Sequence, residues 1–512
     1  MQRTQSLREK ARRWLVFFWT EYKWCILSGM IVGLIAYMFT FTNKLPNHDD
    51  VLYMFGKGVT VTSGRWGLEL LRCILPDFSM PWIYGLITLA CISASAGLTA
   101  YAFRIRGKLP QALLGGLFVA FPSLIGTLCY IYTSSAYGAA FLLATLAFVL
   151  AAREQNPVKN TMLGTLLMIL SLSIYQAYIS LTVSLLVVYL IQKLVKTDAP
   201  AKEIMLTGIR CICFALAALV LYFGITRLIL AVLSLDMNDY AQAALSGASN
   251  DSIPLRILRV FTAPYFILVK GLHGLMRSRF AKYCHALCLL LTGIQLLRWL
   301  LSSKSKKRRW LLPLLLLSLL LSLNMLYFIT TPEDIHTLVL YGYVSMYVLF
   351  IALACPTDGL ANASKRLSEL IKKAIYALLI LIMVHNVYLA NEASLLQFVN
   401  FQSECAELSG IITRVESMPE YQPGVKLAMI GKEYASRPDV SHYFISAKSI
   451  KGVAENYYSR EQLMHLYLGF NGEFASAEEI MKLQETPEFA EMQAYPYYDS
   501  IRAIDGYIVV KF

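Results

Sequence analysis

Apolar blocks of about 18–22 residues recur along this 512-residue chain, residues 24–42, 82–103 and 311–329 among them. Each is long enough to cross the hydrocarbon core of a bilayer as a helix. The chain is 57% hydrophobic and 15% charged, with a mean hydropathy of +0.53. Ordinary soluble domains run at about 45–50% apolar and about 25% charged. A soluble enzyme of this length has no use for so much apolar surface, so the pattern reads as a polytopic membrane protein.

A formal charge of +13 would suit a nucleic-acid binder if it lay along one soluble face. Its distribution says otherwise. Residues 392–512 carry 17 Asp and Glu against 10 Lys and Arg, which leaves about +20 on the remainder. There the basic residues sit mostly in short loops between apolar blocks, the positive-inside pattern of membrane topology. The ten cysteines form no CxxC pair and no zinc spacing, and most read as small apolar fillers within the blocks. The first block follows Arg3, Arg8, Lys10, Arg12 and Arg13. It is long and lacks a small-residue cleavage site, so it reads as a retained span.

Spans are expected near residues 24–42, 82–103, 109–128, 133–152, 211–235, 283–301, 311–329, 336–355 and 374–391. Residues 160–193 are ambiguous, since one helix of about 33 residues would reach roughly 50 Å. The alternative is two short helices joined near Tyr175-Gln176. A hairpin keeps the KSKKRR cluster at 304–309 on the side of the basic N-terminus and of loop 104–108, whereas a single helix puts it on the other side. The hairpin is therefore preferred. The expected fold is an all-α bundle of about 11 transmembrane helices over residues 1–391, with a cytoplasmic N-terminus and a small extracytoplasmic α/β domain over 392–512. Residues 254–274 mix Leu255, Ile257, Leu258 and Phe261 with Arg256, Arg259 and Lys270, which suits a helix lying in the membrane interface. In the tail, residues 425–431 and 506–512 read as short buried strands and 460–468 and 476–483 as helices.

The strongest local feature is Asn47-His48-Asp49-Asp50, about five residues beyond the first span. Adjacent carboxylates at a membrane surface can serve as a general base or bind a divalent cation. Consecutive helical residues point about 100° apart, so one of the two can cap the following helix while the other enters a site. Next comes Ser63-Gly64-Arg65-Trp66-Gly67. Arg65 presents a guanidinium fork suited to phosphate, and Trp66 either stacks on a sugar face or anchors the segment at the interface. Tyr175 and Gln176 at the hairpin tip could line a cavity opening outward; an interfacial aromatic belt explains the tyrosines at least as well, but not Gln176. Glu333, Asp334 and His336 share one short external loop and, like His48, could bind a cation or assist acid/base work; a solvated loop is the better reading, since two carboxylates and one His make an incomplete site. Arg227 falls within a span, where a charge is either functional or snorkels to the surface. No phosphate-binding loop, dinucleotide fingerprint, nucleophile elbow or HExxH is present, so a nucleotide-using cytosolic enzyme has no support.

A basic N-terminus, one span, then HDD, SGRWG, a YQAY hairpin and the ending YDSIRAIDGYIVVKF resemble, in order and spacing, the bacterial type II glucosyltransferases, membrane enzymes of the GT-C class. The resemblance covers nearly the whole chain. It implies an inverting transfer of a hexose, glucose by the family's name, from a polyprenyl-phosphate donor to a cell-surface polysaccharide at the outer face of the bacterial cytoplasmic membrane. It also implies a catalytic carboxylate in the first external loop, here Asp49 or Asp50, and a cation near the leaving phosphate, here Arg65. A cation expected in the loop before the span at 336–355 is replaced by Glu333-Asp334-Ile335-His336. Two other readings compete. A transporter or flippase of a lipid-linked sugar would show internal repeats with matching broken helices, and none is visible. A membrane scaffold without catalysis would tolerate Asn at positions 49 and 50.

Overall fold

In hydrocarbon a backbone can satisfy its hydrogen bonds only internally, and the apolar blocks accordingly form long helices. The computed structural model describes residues 2–55, 58, 60–74, 78–238, 251–270, 278–330, 335–354, 362–431, 453–454 and 456–512. In chain order the helices are α1 (Gln2–Thr42), α2 (His48–Leu52), α3 (Gly67–Leu71), α4 (Pro81–Ala102), α5 (Lys108–Val119), α6 (Ser123–Leu128) and α7 (Ile131–Ala152). They continue as α8 (Pro157–Ile174), α9 (Tyr178–Lys196), α10 (Ala201–Val232), α11 (Ile253–Pro264), α12 (Arg279–Ser302), α13 (Lys306–Leu323) and α14 (Leu326–Ile329). A 3₁₀ segment, Thr337–Val344, leads into α15 (Ser345–Ala354), and α16 (Asn362–Glu416) runs unbroken for 55 residues.

Among the described residues, eight segments are long and apolar enough to cross a membrane, fewer than the eleven expected. The chain is a multi-pass membrane protein. Three of the expected runs are not among the eight. Residues 109–128 do not form one span: Pro122 sits between α5 and α6, and the 12 residues of α5 rise only about 18 Å. The run at 311–329 belongs to α13, whose first turn is Lys306, Lys307, Arg308 and Arg309, and is interrupted before α14. The run at 374–391 is a stretch of α16. The hairpin, by contrast, stands as expected: α8 ends where Tyr175 turns extended (φ −150°, ψ 109°), and α9 restarts at Tyr178.

The bundle packs α1 against α4 and α5, α4 against α7, and α7 against α8 and α9. Small residues allow close approach. A Cβ on Gly115 of α5 would lie 2.0 Å from the Cys25 carbonyl oxygen of α1. The α4 and α7 helices both start at one end of the bundle, close to Ser79 and Tyr132, and run 22 residues, about 33 Å, to the other. Helix α11 has 12 residues and continues as a wide turn, Tyr265–Lys270, and this stretch, which carries Arg256, Arg259 and Lys270, is not among the eight.

The C-terminal region carries a three-stranded sheet of order β1-β3-β2, from β1 (Lys426–Ile430), β2 (Ile501–Ile504) and β3 (Tyr507–Lys511). β1 and β3 are parallel, pairing Leu427 with Ile508 and Met429 with Val510, while β2 runs antiparallel to β3. α17 (Tyr457–Leu468) and α18 (Ala477–Gln484) flank the sheet, and α18 starts with a capping box between Ser476 and Glu479. Both expected strands and both expected helices are present. The core of this region includes Leu408 and Ile411 of α16, Leu463 and Met464 of α17, and Val51 of α2.

Candidate active site

The loop after α1 is shaped by its own polar side chains. Asn47, in extended conformation, accepts the Asp50 N–H on its Oδ1 at 2.7 Å and so caps α2. The helix lasts five residues. It ends where the Ser79 N–H donates to the Met54 carbonyl at 3.0 Å, drawing the segment before α4 over the loop.

The two carboxylates have different surroundings. Asp50 is fully buried, and both its oxygens are occupied. Lys44 Nζ donates to Oδ2 at 2.5 Å, while the Ser79 hydroxyl at 2.6 Å and the Tyr132 N–H at 2.9 Å donate to Oδ1. Lys44 also donates to the Ser79 hydroxyl and to the Ser79 carbonyl at 3.2 Å. Asp50 therefore ties α2, the segment before α4 and the start of α7 together. The Asp49 side chain keeps 31% of its exposure and has His48 Nε2 at 3.8 Å. Desolvation raises the Asp49 carboxyl above the usual aspartate range, against the opposing pull of His48 and Arg65, with a smaller push from Asp50 in the direction of desolvation. A half-exposed carboxylate of raised basicity is suited to taking a proton. The His48 ring lies edge-on to Tyr130, 6.3 Å between centroids, and its Nδ1 is buried with no hydrogen-bond partner among the described residues, as is Asn47 Nδ2.

The second motif is held by the hairpin tip and by α10. Gln176 Nε2 donates to the Ser63 carbonyl at 3.2 Å and to the Tyr222 hydroxyl at 2.9 Å, and that hydroxyl donates to the Gly64 carbonyl at 2.9 Å. Trp66 Nε1 donates to Thr226 Oγ1 at 3.1 Å. Gly64 is left-handed (φ 76°), and a Cβ there would stand 2.7 Å from Tyr222 Oη. In this structure the glycine gives room to protein side chains. The clamp sets Arg65 with Nη1 donating to the Tyr137 hydroxyl at 3.1 Å and its guanidinium 5.8 Å above the Tyr175 ring. Tyr137 and Tyr175 stack at 4.3 Å, and Tyr175 Oη is buried with no partner among the described residues.

Asp49, Asp50, His48, Arg65, Trp66, Tyr175 and Gln176 thus fall at one end of the bundle, with the Arg65 charge felt at Asp49. Glu333 and Asp334 lie outside the described residues. His336 caps the 3₁₀ segment, its carbonyl accepting the Val339 N–H at 3.1 Å. Among the described residues, no group of three His, Cys, Asp or Glu side chains gathers as a metal site. Sequence reasoning did not single out Lys44, Ser79, Tyr132, Tyr137 or Tyr222. Lys44 could have been found three residues before Asn47, but nothing local distinguishes the others. Tyr467 of α17 was also missed. Burial, and secondarily the charge of Asp50, push its hydroxyl's pKa up, and that hydroxyl has no partner among the described residues.

A protein-family model described as "Glucosyl transferase GtrII" matches residues 38–351, from the end of α1 into α15. No curated protein and no solved structure matches the chain.

Proposed function

The chain belongs to the GtrII glucosyl transferase family, and from that premise we propose that it moves glucose from a polyprenyl-phosphate donor to a surface polysaccharide, with inversion, at the outer face of a bacterial cytoplasmic membrane. The observation that carries this reading is the division of labour between the two carboxylates. Asp50 is saturated with donors, whereas Asp49 is accessible, raised in basicity and within the field of Arg65.

The acceptor hydroxyl oxygen attacks the anomeric carbon of the donor, and its proton passes to Asp49. The bond from that carbon to the phosphate oxygen breaks, and polyprenyl phosphate leaves with the electron pair. The leaving oxygen gains negative charge in the transition state, where a preorganised cation such as Arg65 is worth most. One displacement inverts the anomeric centre and needs no protein nucleophile. Gln176, Tyr222 and Trp66 are positioning residues in this scheme, since they fix the loop that carries Arg65.

A lipid-linked donor also needs somewhere for its tail. An apolar cleft of about 690 Å³ lies between α12, α13 and α15, lined by Leu289, Leu296, Leu316, Leu319 and Phe350 with Lys282 and Asn324 on its wall. Its apolar wall suits an isoprenoid, and Lys282 offers a charge to a phosphate. In this reading the acidic C-terminal region is the extracytoplasmic domain over the site, and a divalent cation is not required by the scheme.

The test is turnover by the purified full chain with polyprenyl-phosphate glucose and a surface-glycan acceptor, following released polyprenyl phosphate and glycan mass. Gain of one hexose per transfer, lost in Asp49→Asn while the protein remains monodisperse, is the expected result. Transfer that persists undiminished in Asp49→Asn removes that residue as the base. Donor crossing proteoliposome membranes with no transfer to any acceptor sinks the transferase reading in favour of a flippase.

A further inference from the structure

A second cavity lies at the other end of the bundle. It has a volume of about 940 Å³ and opens among the C-terminal ends of α4, α7 and α9 and the N-terminal halves of α1 and α10. The first residues of α4 and α7 adjoin Ser79 and Tyr132, the partners of Asp50, so this cavity stands about 33 Å away, on the opposite side of the membrane.

Its wall carries Arg104, Arg106, Arg153, Lys193 and Lys196 against Glu154 and Glu203, an excess of three positive charges. Lys193 is 7% exposed and engages both carboxylates, Glu203 at 2.6 Å and Glu154 in a closer contact. Lys193 cancels one of the two carboxylates, so the trio leaves a single negative charge against Arg104, Arg106, Arg153 and Lys196. Charge in loops on one membrane face is what topology requires. Topology requires neither a recess nor a loop held rigidly at its rim. Residues 103–107 are held so: Gln192 Nε2 donates to the Phe103 carbonyl at 2.9 Å, and buried Gln111 Nε2 donates to the Glu21 carbonyl at 2.8 Å and the Ile105 carbonyl at 3.3 Å. Between these anchors Arg104 takes a left-handed conformation (φ 54°), one that non-glycine residues rarely adopt. It stands just after the α4 C-cap, where the Ile105 N–H returns to the Ala100 carbonyl at 2.9 Å and ends the helix. Behind the cations the wall is apolar, with Phe17, Phe103, Val149 and Ile351.

We propose that this recess is a binding site for a phosphate ester, with Arg104, Arg106 and Arg153 on the phosphate and the apolar wall against the remainder of the ligand. Guanidinium forks match phosphate oxygens in geometry as well as charge. The ester is either the headgroup of an anionic phospholipid or a soluble phosphate ester. This site is independent of the transfer chemistry at Asp49.

The experiment uses the full chain in detergent. Native mass spectrometry measures retention of phosphatidylglycerol against phosphatidylcholine, and calorimetry measures glycerol phosphate. The double variant Arg104→Gln/Arg153→Gln is compared with Lys306→Gln/Lys307→Gln, which removes the same charge from exposed residues at the same end but outside the cavity. Arg106→Gln is a second cavity variant in case the first fails to fold, which a thermal melt reports. Expected is retention of phosphatidylglycerol over phosphatidylcholine, weakened at least about ten-fold in a folded cavity variant and less than about two-fold in the control. Glycerol phosphate binding with the same variant dependence also supports the site and identifies a soluble ester as a ligand. Equal weakening in both variants, equal retention of the two lipids without glycerol phosphate binding, or no binding of any probe overturns the proposal.

Discussion

Asp49 and Asp50 are chemically identical neighbours, and their surroundings separate them: Asp50 is enclosed by donors and Asp49 is not. Asp50→Asn keeps an acceptor for Ser79 and for the Tyr132 N–H but turns an amide donor, or nothing, toward Lys44 Nζ. Lys44 keeps its two Ser79 acceptors but loses its counter-ion, and losing a hydrogen bond to a charged group costs about 1.5–3 kcal/mol, so a lowered melting temperature with a parallel fall in turnover is expected. Asp49→Asn should do the reverse. Because desolvation raises this carboxyl's folded pKa above its unfolded value, the folded state binds the proton more tightly. Its contribution to stability is therefore full below the unfolded pKa and is lost as pH rises through the folded pKa. At neutral pH the amide removes a penalty, so the melting temperature should hold or rise while turnover falls by a factor of about 10²–10⁴. The same shift predicts that the acid limb of the wild-type turnover profile lies above the range of an ordinary aspartate. A limb at or below that range would show that Asp49 is not the titrating base.

At the scale of elements, the decisive feature is the clamp on the segment around Arg65. Gly64→Ala places a Cβ in a left-handed residue, a cost of about 1–2 kcal/mol, and pushes it to 2.7 Å from Tyr222 Oη. The loop should relax by breaking the Gln176 and Tyr222 bonds, carrying Arg65 away from Tyr137. Turnover should drop by more than the loss of stability explains, and a turnover unchanged within two-fold would show that Arg65's position is not critical. How much of this was legible follows from range. The α8–α9 break was readable because charge on distant loops fixes the parity of spans, and the tail strands and helices were readable because short apolar runs and capping residues are local signals. The break of 109–128 into α5 and α6 was signalled by Pro122 but hidden by the unbroken apolar composition around it. The carboxylates and Arg65 were visible as residues, yet their division of labour was not. It depends on Ser79, Tyr132 and Tyr222, which reach the motif across 29 to 158 positions of sequence.

At the scale of the molecule, the family match ends at residue 351, while the described chain continues through α16 into a region that packs back on the candidate site. Buried Glu404 of α16 accepts the Val453 and Ala454 N–H groups at 2.8 and 3.2 Å, fastening the C-terminal region to the bundle's last long helix. α17 then lies against α2, and Val51, next to Asp50 in sequence, is fully buried in the C-terminal core. A residue adjoining the carboxylates is thus held by side chains more than 350 positions later. Val51→Ala removes two methyl groups from that core at a cost of about 2 kcal/mol. Ile430→Val loses a methylene in the separate cluster on the sheet's other side, about 1 kcal/mol. If the C-terminal region positions the acidic loop, Val51→Ala should lower kcat several-fold with the acid limb unmoved, because the base is displaced rather than changed. Ile430→Val should leave kcat near wild type despite its own destabilisation. Equal effects on kcat, in proportion to stability alone, would mean that the region covers the loop without holding it.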